Sequence, residues 1–128
     1  MATIEDAIYS KLSGTSGITA LVGRRIYPVV LPQKCKLPAI TYDKVSDPQI
    51  HTMGSESNPC HPRFTIHVWG ETLKNVIDIA EQVKTALKYY TGTIASMIIQ
   101  RIYYDNETDI YEPQTETYHR ALDFLIWY

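Results

Sequence analysis

A chain of 128 residues suffices for one domain that buries about two-thirds of its unfolded surface. An apolar fraction of 45% and a charged fraction of 20% fit a folded protein. A net charge of −2 removes any global attraction to nucleic acid or to an anionic membrane.

From the start of the chain, Ile4, Ala7, Ile8 and Leu12 recur at helical spacing, with Thr3 placed to cap the helix and Gly14 just past its end. This acidic, amphipathic opening is not the basic and then apolar run of a secretory leader, so none is expected. Ser16 predicts the cap of a second short helix through Ile18, Leu21 and Val22, stopped by Gly23. Pro28, Pro32 and Pro38 make residues 27–38 an extended connector that cannot be helical. Residues 38–46 read as a strand. Phe64, Ile66 and Val68 alternate with Arg63, Thr65 and His67 and predict a second strand over 62–69.

Leu73, Val76, Ile77, Ala80, Val83 and Leu87 form one apolar stripe, which predicts a helix over 72–90 capped by Thr72 and stopped by Gly92. At about 1.5 Å per residue it is about 28 Å long. Residues 94–104 and 117–128 read as the third and fourth strands. In the fourth, Leu122, Phe124, Ile126 and Tyr128 share one face and Ala121, Asp123, Leu125 and Trp127 the other. Both faces carry apolar residues, which points to a strand inside the sheet. The resulting fold class is α+β, in the order α-α-β-β-α-β-β. A single domain over 1–128 holds a four-stranded, mainly antiparallel sheet, one long helix across a face, and short N-terminal helices. Placing the fourth strand between the second and third makes that sheet wholly antiparallel.

The loops left over, 47–60 and 105–116, are longer than the two to five residues or so that close most hairpins, and they read as binding arms. Gln49, His51, Met53, Glu56 and Asn58 are the partner-binding candidates in the first. Ten tyrosines against two phenylalanines suit either protein-facing surface or half-buried sheet positions.

Little reactive chemistry is legible. Cys35, His51, Cys60 and His61 match no metal-ligand spacing, and the two cysteines are expected to be free thiols in a cytoplasmic protein. Cys60 and His61 are neighbours whose side chains diverge on extended backbone, which argues against a catalytic pair. His67 and His119 read as surface or hydrogen-bonded sheet residues. The six scattered glycines form no phosphate-binding loop, and no apolar stretch approaches the roughly 20 residues of a membrane span. No catalytic, cofactor-binding or metal site is therefore expected, and no enzyme.

Charge is more informative. Arg24, Arg25, Lys34 and Lys36 fall between Gly23 and Lys36 with no acid among them. Asp105, Glu107, Asp109, Glu112 and Glu116 fall between Tyr104 and Tyr118 with no base. Two such runs are solvated loops or surfaces that face each other, within one chain or between copies.

Several segments, in their order, resemble the phage tail completion family, the tail-to-head joining or tail terminator proteins of long-tailed phages. They are Ile4-Glu5-Asp6-Ala7-Ile8-Tyr9, then Ala20-Leu21-Val22-Gly23-Arg24-Arg25-Ile26-Tyr27-Pro28 and Leu37-Pro38-Ala39-Ile40-Thr41-Tyr42. Phe64-Thr65-Ile66-His67-Val68-Trp69, Asp109-Ile110-Tyr111-Glu112-Pro113 and Asp123-Phe124-Leu125-Ile126-Trp127-Tyr128 complete the set. The resemblance implies a structural virion protein at the tail-head junction, made in the host bacterial cytoplasm and assembled as a hexameric ring around the DNA channel. Its implied partners are copies of itself, monomeric until a tail end templates them, the tail tube protein and the head-tail connector or stopper. Neither a sequence-specific nucleic acid nor a membrane is among them, and no cofactor is implied.

A closed ring needs two different, complementary patches on each subunit. Arg24, Arg25, Lys34 or Lys36 of one copy facing Asp105, Glu107, Asp109 or Glu112 of the next supplies them. A lining of the channel by the acidic segment is the competing role. The rival functions are another neck or minor capsid protein such as a connector stopper, a small metal-dependent hydrolase, and a nucleic-acid module built on Arg101 and Tyr103.

Overall fold

The C-terminal alternation builds the strand around which the sheet is organised. The computed structural model describes residues 4–30, 36–46, 62–94, 97–114 and 116–127. Three helices, α1 (Ile4–Gly14), α2 (Ser16–Val22) and α3 (Leu73–Leu87), accompany seven strands. These are β1 (Ile26–Pro28), β2 (Ala39–Ser46), β3 (Arg63–Gly70), β4 (Gly92–Ile94), β5 (Met97–Ile99), β6 (Arg101–Glu112) and β7 (Thr117–Trp127). The main sheet has the order β1-β2-β3-β7-β6, and β4 and β5 pair separately as a small ribbon.

As expected, the last strand lies between the second and third predicted ones, with Phe64 opposite Phe124 on one side and Ile102 opposite Ile126 on the other. Leu122, Phe124 and Ile126 point into the core with Phe64, Ile66, Val68 and Ile102. The apolar face expected of α1 also holds, with Ile4, Ala7, Ile8 and Leu12 buried, while Gly14 is its last residue and not the one past its end. Gly23, at φ 63, ends α2 where a left-handed residue favours glycine. At the other end of the layer, a Cβ on Gly70 would stand 2.8 Å from Val76 Cγ2, so β3 closes on α3 only with glycine there.

Four expectations need correction. The sheet has five strands, not four, and is not wholly antiparallel, because β1 pairs with β2 in parallel. Pro28 lacks an N–H and is tolerated at a sheet edge, which is where β1 lies. The predicted 94–104 strand divides among β4, β5 and β6. The predicted 105–116 loop is strand as far as Glu112, paired with β7, and only Pro113, Gln114 and Glu116 of its described residues are left as turn. Its acids read as loop by composition, but the outer position of β6 exposes their side chains.

The fourth correction concerns α3. It covers 15 residues, about 22 Å, and its buried stripe is Val76, Ile79, Ala80, Val83 and Leu87. Leu73 and Ile77, expected inside, are exposed. The helix ends before Tyr89, whose φ is 59, and not at Gly92. Thr72 caps the start as expected, its Oγ1 accepting from the Asn75 N–H at 3.3 Å. Thr72→Ala is expected to cost about 1 kcal/mol, read as a lower urea midpoint at unchanged slope.

The proposed 47–60 arm, with Gln49, His51, Met53, Glu56 and Asn58, lies outside the described residues, as do Thr3, Lys34, Cys35, Cys60, His61 and Tyr128.

Candidate functional site

Beyond the outer faces of the helices, polar and charged side chains gather on three surfaces: the two edges of the sheet and its helix-free face.

The acidic edge is β6. A bulge between Tyr104 and Asn106 interrupts its pairing with β7. Beyond the bulge, Glu107, Asp109 and Tyr111 lie over Leu122, Arg120 and Tyr118, on the side where α3 packs. Arg120 Nε donates to Asp109 Oδ1 at 2.6 Å and its second nitrogen to Oδ2 at 3.1 Å, a two-pronged pair across the hairpin. Lys84 of α3 reaches Glu81 and Glu107, each at 3.0 Å, and Arg120 approaches Glu107 at 3.7 Å. Asp105 pairs with Arg63 of β3.

These contacts lower two of the acids, Asp109 and Glu107. The Arg120 hydrogen bond holds the Asp109 carboxyl below the usual range. Burial pushes Glu107 up, but hydrogen bonds from Lys84 and Tyr104 outweigh it and carry the group below its ordinary value. The network ties helix to hairpin and favours the charged forms of Glu107 and Asp109.

The basic edge lies at the opposite end of the sheet, around β1. Arg24 is exposed in the turn after α2. Arg25 is half-buried, and its Nε donates to the Pro38 carbonyl at 2.8 Å, a structural bond that fastens β1 to the start of β2. Lys36 is exposed just before the cis Leu37–Pro38 peptide.

With strands about 4.8 Å apart, four steps across the sheet put β1 about 19 Å from β6. Arg24 and Arg25 therefore do not meet the β6 acids of their own chain, whose partners are Arg63, Lys84 and Arg120 instead. The intrachain version of the facing-charge expectation is corrected on that ground.

The helix-free face is a hydrogen-bonded lattice. Trp69 stacks on His119, directly opposite on β7, at 3.9 Å between ring centres and 11° between planes. Its Nε1–H donates to Thr41 Oγ1 at 3.0 Å, and Thr65 donates to Asp123 at 2.8 Å. His67 links Asp43, at 3.0 Å from Nε2, to His119 Nε2, at 2.5 Å from Nδ1. An ionised Asp43 only accepts, so His67 Nε2 carries the proton, His67 Nδ1 accepts, and His119 Nε2–H donates. His119 Nδ1 is left as a bare acceptor, buried without a hydrogen-bond partner among the described residues. A neutral ring tolerates that position better than a charged one, and burial above all, with a smaller effect of the neighbouring His67, lowers the His119 pKa to about 4.

Sequence reasoning missed Arg63, Lys84 and Arg120 as the cations that hold the acids. The available signal was the alternation of Thr108 and Ile110 with Glu107, Asp109 and Tyr111, which suits a strand whose register brings Arg120 opposite Asp109. Among the described residues no group of three His, Cys, Asp or Glu side chains is placed to hold a metal ion. No described helix is long and apolar enough to cross a membrane.

A chain from the virion of a native gene transfer agent particle shares the fold, with a TM-score of 0.79 at 15% sequence identity. The superposition covers 97% of this chain and 92% of that one. No curated protein sequence matches significantly. The family model of tail completion protein gp17 matches residues 6–128. A match over nearly the whole chain, reached independently of the structure and consistent with the resemblance carried by the ordered segments, places it: the chain belongs to the tail completion protein gp17 family.

Proposed function

We propose that this chain is a structural virion protein that completes a phage tail and joins it to the head connector, as a hexameric ring around the DNA channel. The family match over residues 6–128 carries the virion role. The opposite charge of the two sheet edges supports the ring, because a head-to-tail ring needs two unlike surfaces on each copy. Copies meet with Arg24, Lys34 and Lys36, beside Arg25, against the edge bearing Asp105, Glu107, Asp109 and Glu112. Opposed charges of this kind orient the copies and speed their encounter more than they add affinity. The protein acts by shape and takes no substrate or cofactor.

Gln49, His51, Met53, Glu56 and Asn58 form the arm that contacts the tail tube or the connector. Deleting Gln49 to Asn58 is expected to leave the melting temperature of the purified domain unchanged while particles accumulate as separate heads and tails. Removing the whole gene is expected to give the same separation. Normal virions from the short deletion would reject the arm, and infectious particles made without the gene would reject the joining role.

A further inference from the structure

Resting on the ring reading, we propose that Val29 and Val30 form an apolar knob that seats in a niche beside β6 of the neighbouring copy and is the anchor of the interface. Val29 has a φ of 65, a backbone state disfavoured for a β-branched side chain. The Val30 N–H donates to the Pro28 carbonyl at 2.7 Å, closing a three-residue turn around Val29, and the Val29 N–H donates to the Tyr42 carbonyl at 3.0 Å. The turn is thus bonded to β2, and what it achieves is to hold two valines out in water, 65% and 70% exposed. Strain retained in a well-bonded segment points to use, since a relaxed turn would serve a mere connector.

The matching feature is at the far edge of the sheet. The first turn of α3 and the end of the β6–β7 hairpin border a cavity of about 230 Å³, lined by the apolar or aromatic Leu73, Val76, Ile110, Tyr111 and Tyr118 together with Asp109 and His119. At about 30 Å³ per water, that space admits a branched aliphatic side chain. Leu73, Ile110 and Tyr111 are large apolar groups left exposed around it.

Charge selects the occupant. The edge that bears the knob also carries Arg24, Arg25 and Lys36 at the start of β1 and β2, while Asp109 lines the niche and Glu107 and Glu112 lie on the same strand as Asp109. Edges of opposite charge orient the approach, and a buried apolar contact between them is where a few residues dominate binding. Because knob and niche lie at opposite edges of one sheet, they cannot meet within a chain, and a second copy is the occupant that carries the complement.

The test uses particles carrying Val30→Cys with Leu73→Cys, Cys35 and Cys60 being replaced by Ser, treated with a short bis-maleimide. The expected result is a ladder of covalently linked copies that neither single cysteine variant gives. Monomer alone, from particles that hold several copies each, overturns the knob and leaves the ring standing. A linkage to a different virion protein overturns the choice of a second copy. A single copy per particle overturns the ring reading itself. Should the cysteine pair block assembly, Val30→Asp is read by immunoblot of purified particles. Incorporation is expected to fall at least tenfold with an unchanged melting temperature, and wild-type incorporation overturns the proposal.

Discussion

Lowering the pH from 6.5 to 4 is expected to remove about 3 kcal/mol of folding stability through His119 alone. The side chain is 8% exposed, and its pKa lies at about 4 in the fold against 6.5 in the unfolded chain. Above pH 6.5 neither state binds the proton, and the contribution is complete. Between 6.5 and 4 the unfolded chain takes up a proton that the folded protein refuses, so stability falls by about 1.4 kcal/mol per pH unit. Below 4 both states are protonated and this loss stops. Against a typical total of roughly 5–15 kcal/mol, the effect is large.

The groups around His119 explain its resistance. Trp69 covers one face of the ring, His67 accepts its Nε2–H, and Asp43 holds His67 from the far side. The Asp43 carboxylate is one imidazole removed, so its attraction does not offset burial at His119. His119→Gln keeps a side-chain N–H for His67 without a titrating ring. Urea midpoints measured across pH 7 to 4 are expected to slope steeply for the wild type and to flatten for the variant. Parallel profiles would show that the lost stability comes from elsewhere. Glu107 and Asp109 act at lower pH, because carboxyls held below their ordinary range lose their contribution only as pH falls through those depressed values.

What could be read without coordinates was governed by period. Leu122, Phe124 and Ile126 alternate so cleanly that both the strand and its interior place in the sheet followed from them. Thr72 marked the start of α3 because a cap acts locally. Periodicity failed where two neighbouring stripes were both apolar. Leu73 and Ile77 compete with Ile79 on adjacent faces of α3, and only the sheet beneath decides which is buried.

Composition failed on β6. Acids argue for a loop until Arg63, Lys84 and Arg120 arrive from three other elements. The Asp43–His67–His119 chain was invisible for the same reason, being assembled from three strands by their register. β1 was too short to show a period at all. The charge asymmetry, by contrast, was legible from the start, while its placement on opposite edges needed the strand order.

Reversing Arg24 and Lys36 together to Glu is expected to reduce incorporation of the protein into particles about a hundredfold. In the proposed ring, each reversal would replace an attraction across the joint by a repulsion. At an exposed site the lost attraction is worth up to about 1 kcal/mol, and the repulsion that replaces it is similar in size. Two sites at roughly 1.4 kcal/mol each give two factors of ten. Arg25 stays unchanged, because its bond to the Pro38 carbonyl belongs to the fold and its loss would confuse instability with failed assembly. Glu107 and Asp109 are equally unsuitable as compensating sites, since reversing either would set a cation against Lys84 and Arg120 and loosen the hairpin. Glu112 closes β6 beyond that network, so Glu112→Lys is the compensating change, expected to bring incorporation back to within a few-fold of wild type. The defect should also weaken in high salt, where screening shortens the reach of a charge to about 3 Å at 1 M. Normal assembly of the double reversal would remove these edges from the joint. A defect that Glu112→Lys leaves untouched would keep the basic edge in the joint and move its acidic partner away from Glu112.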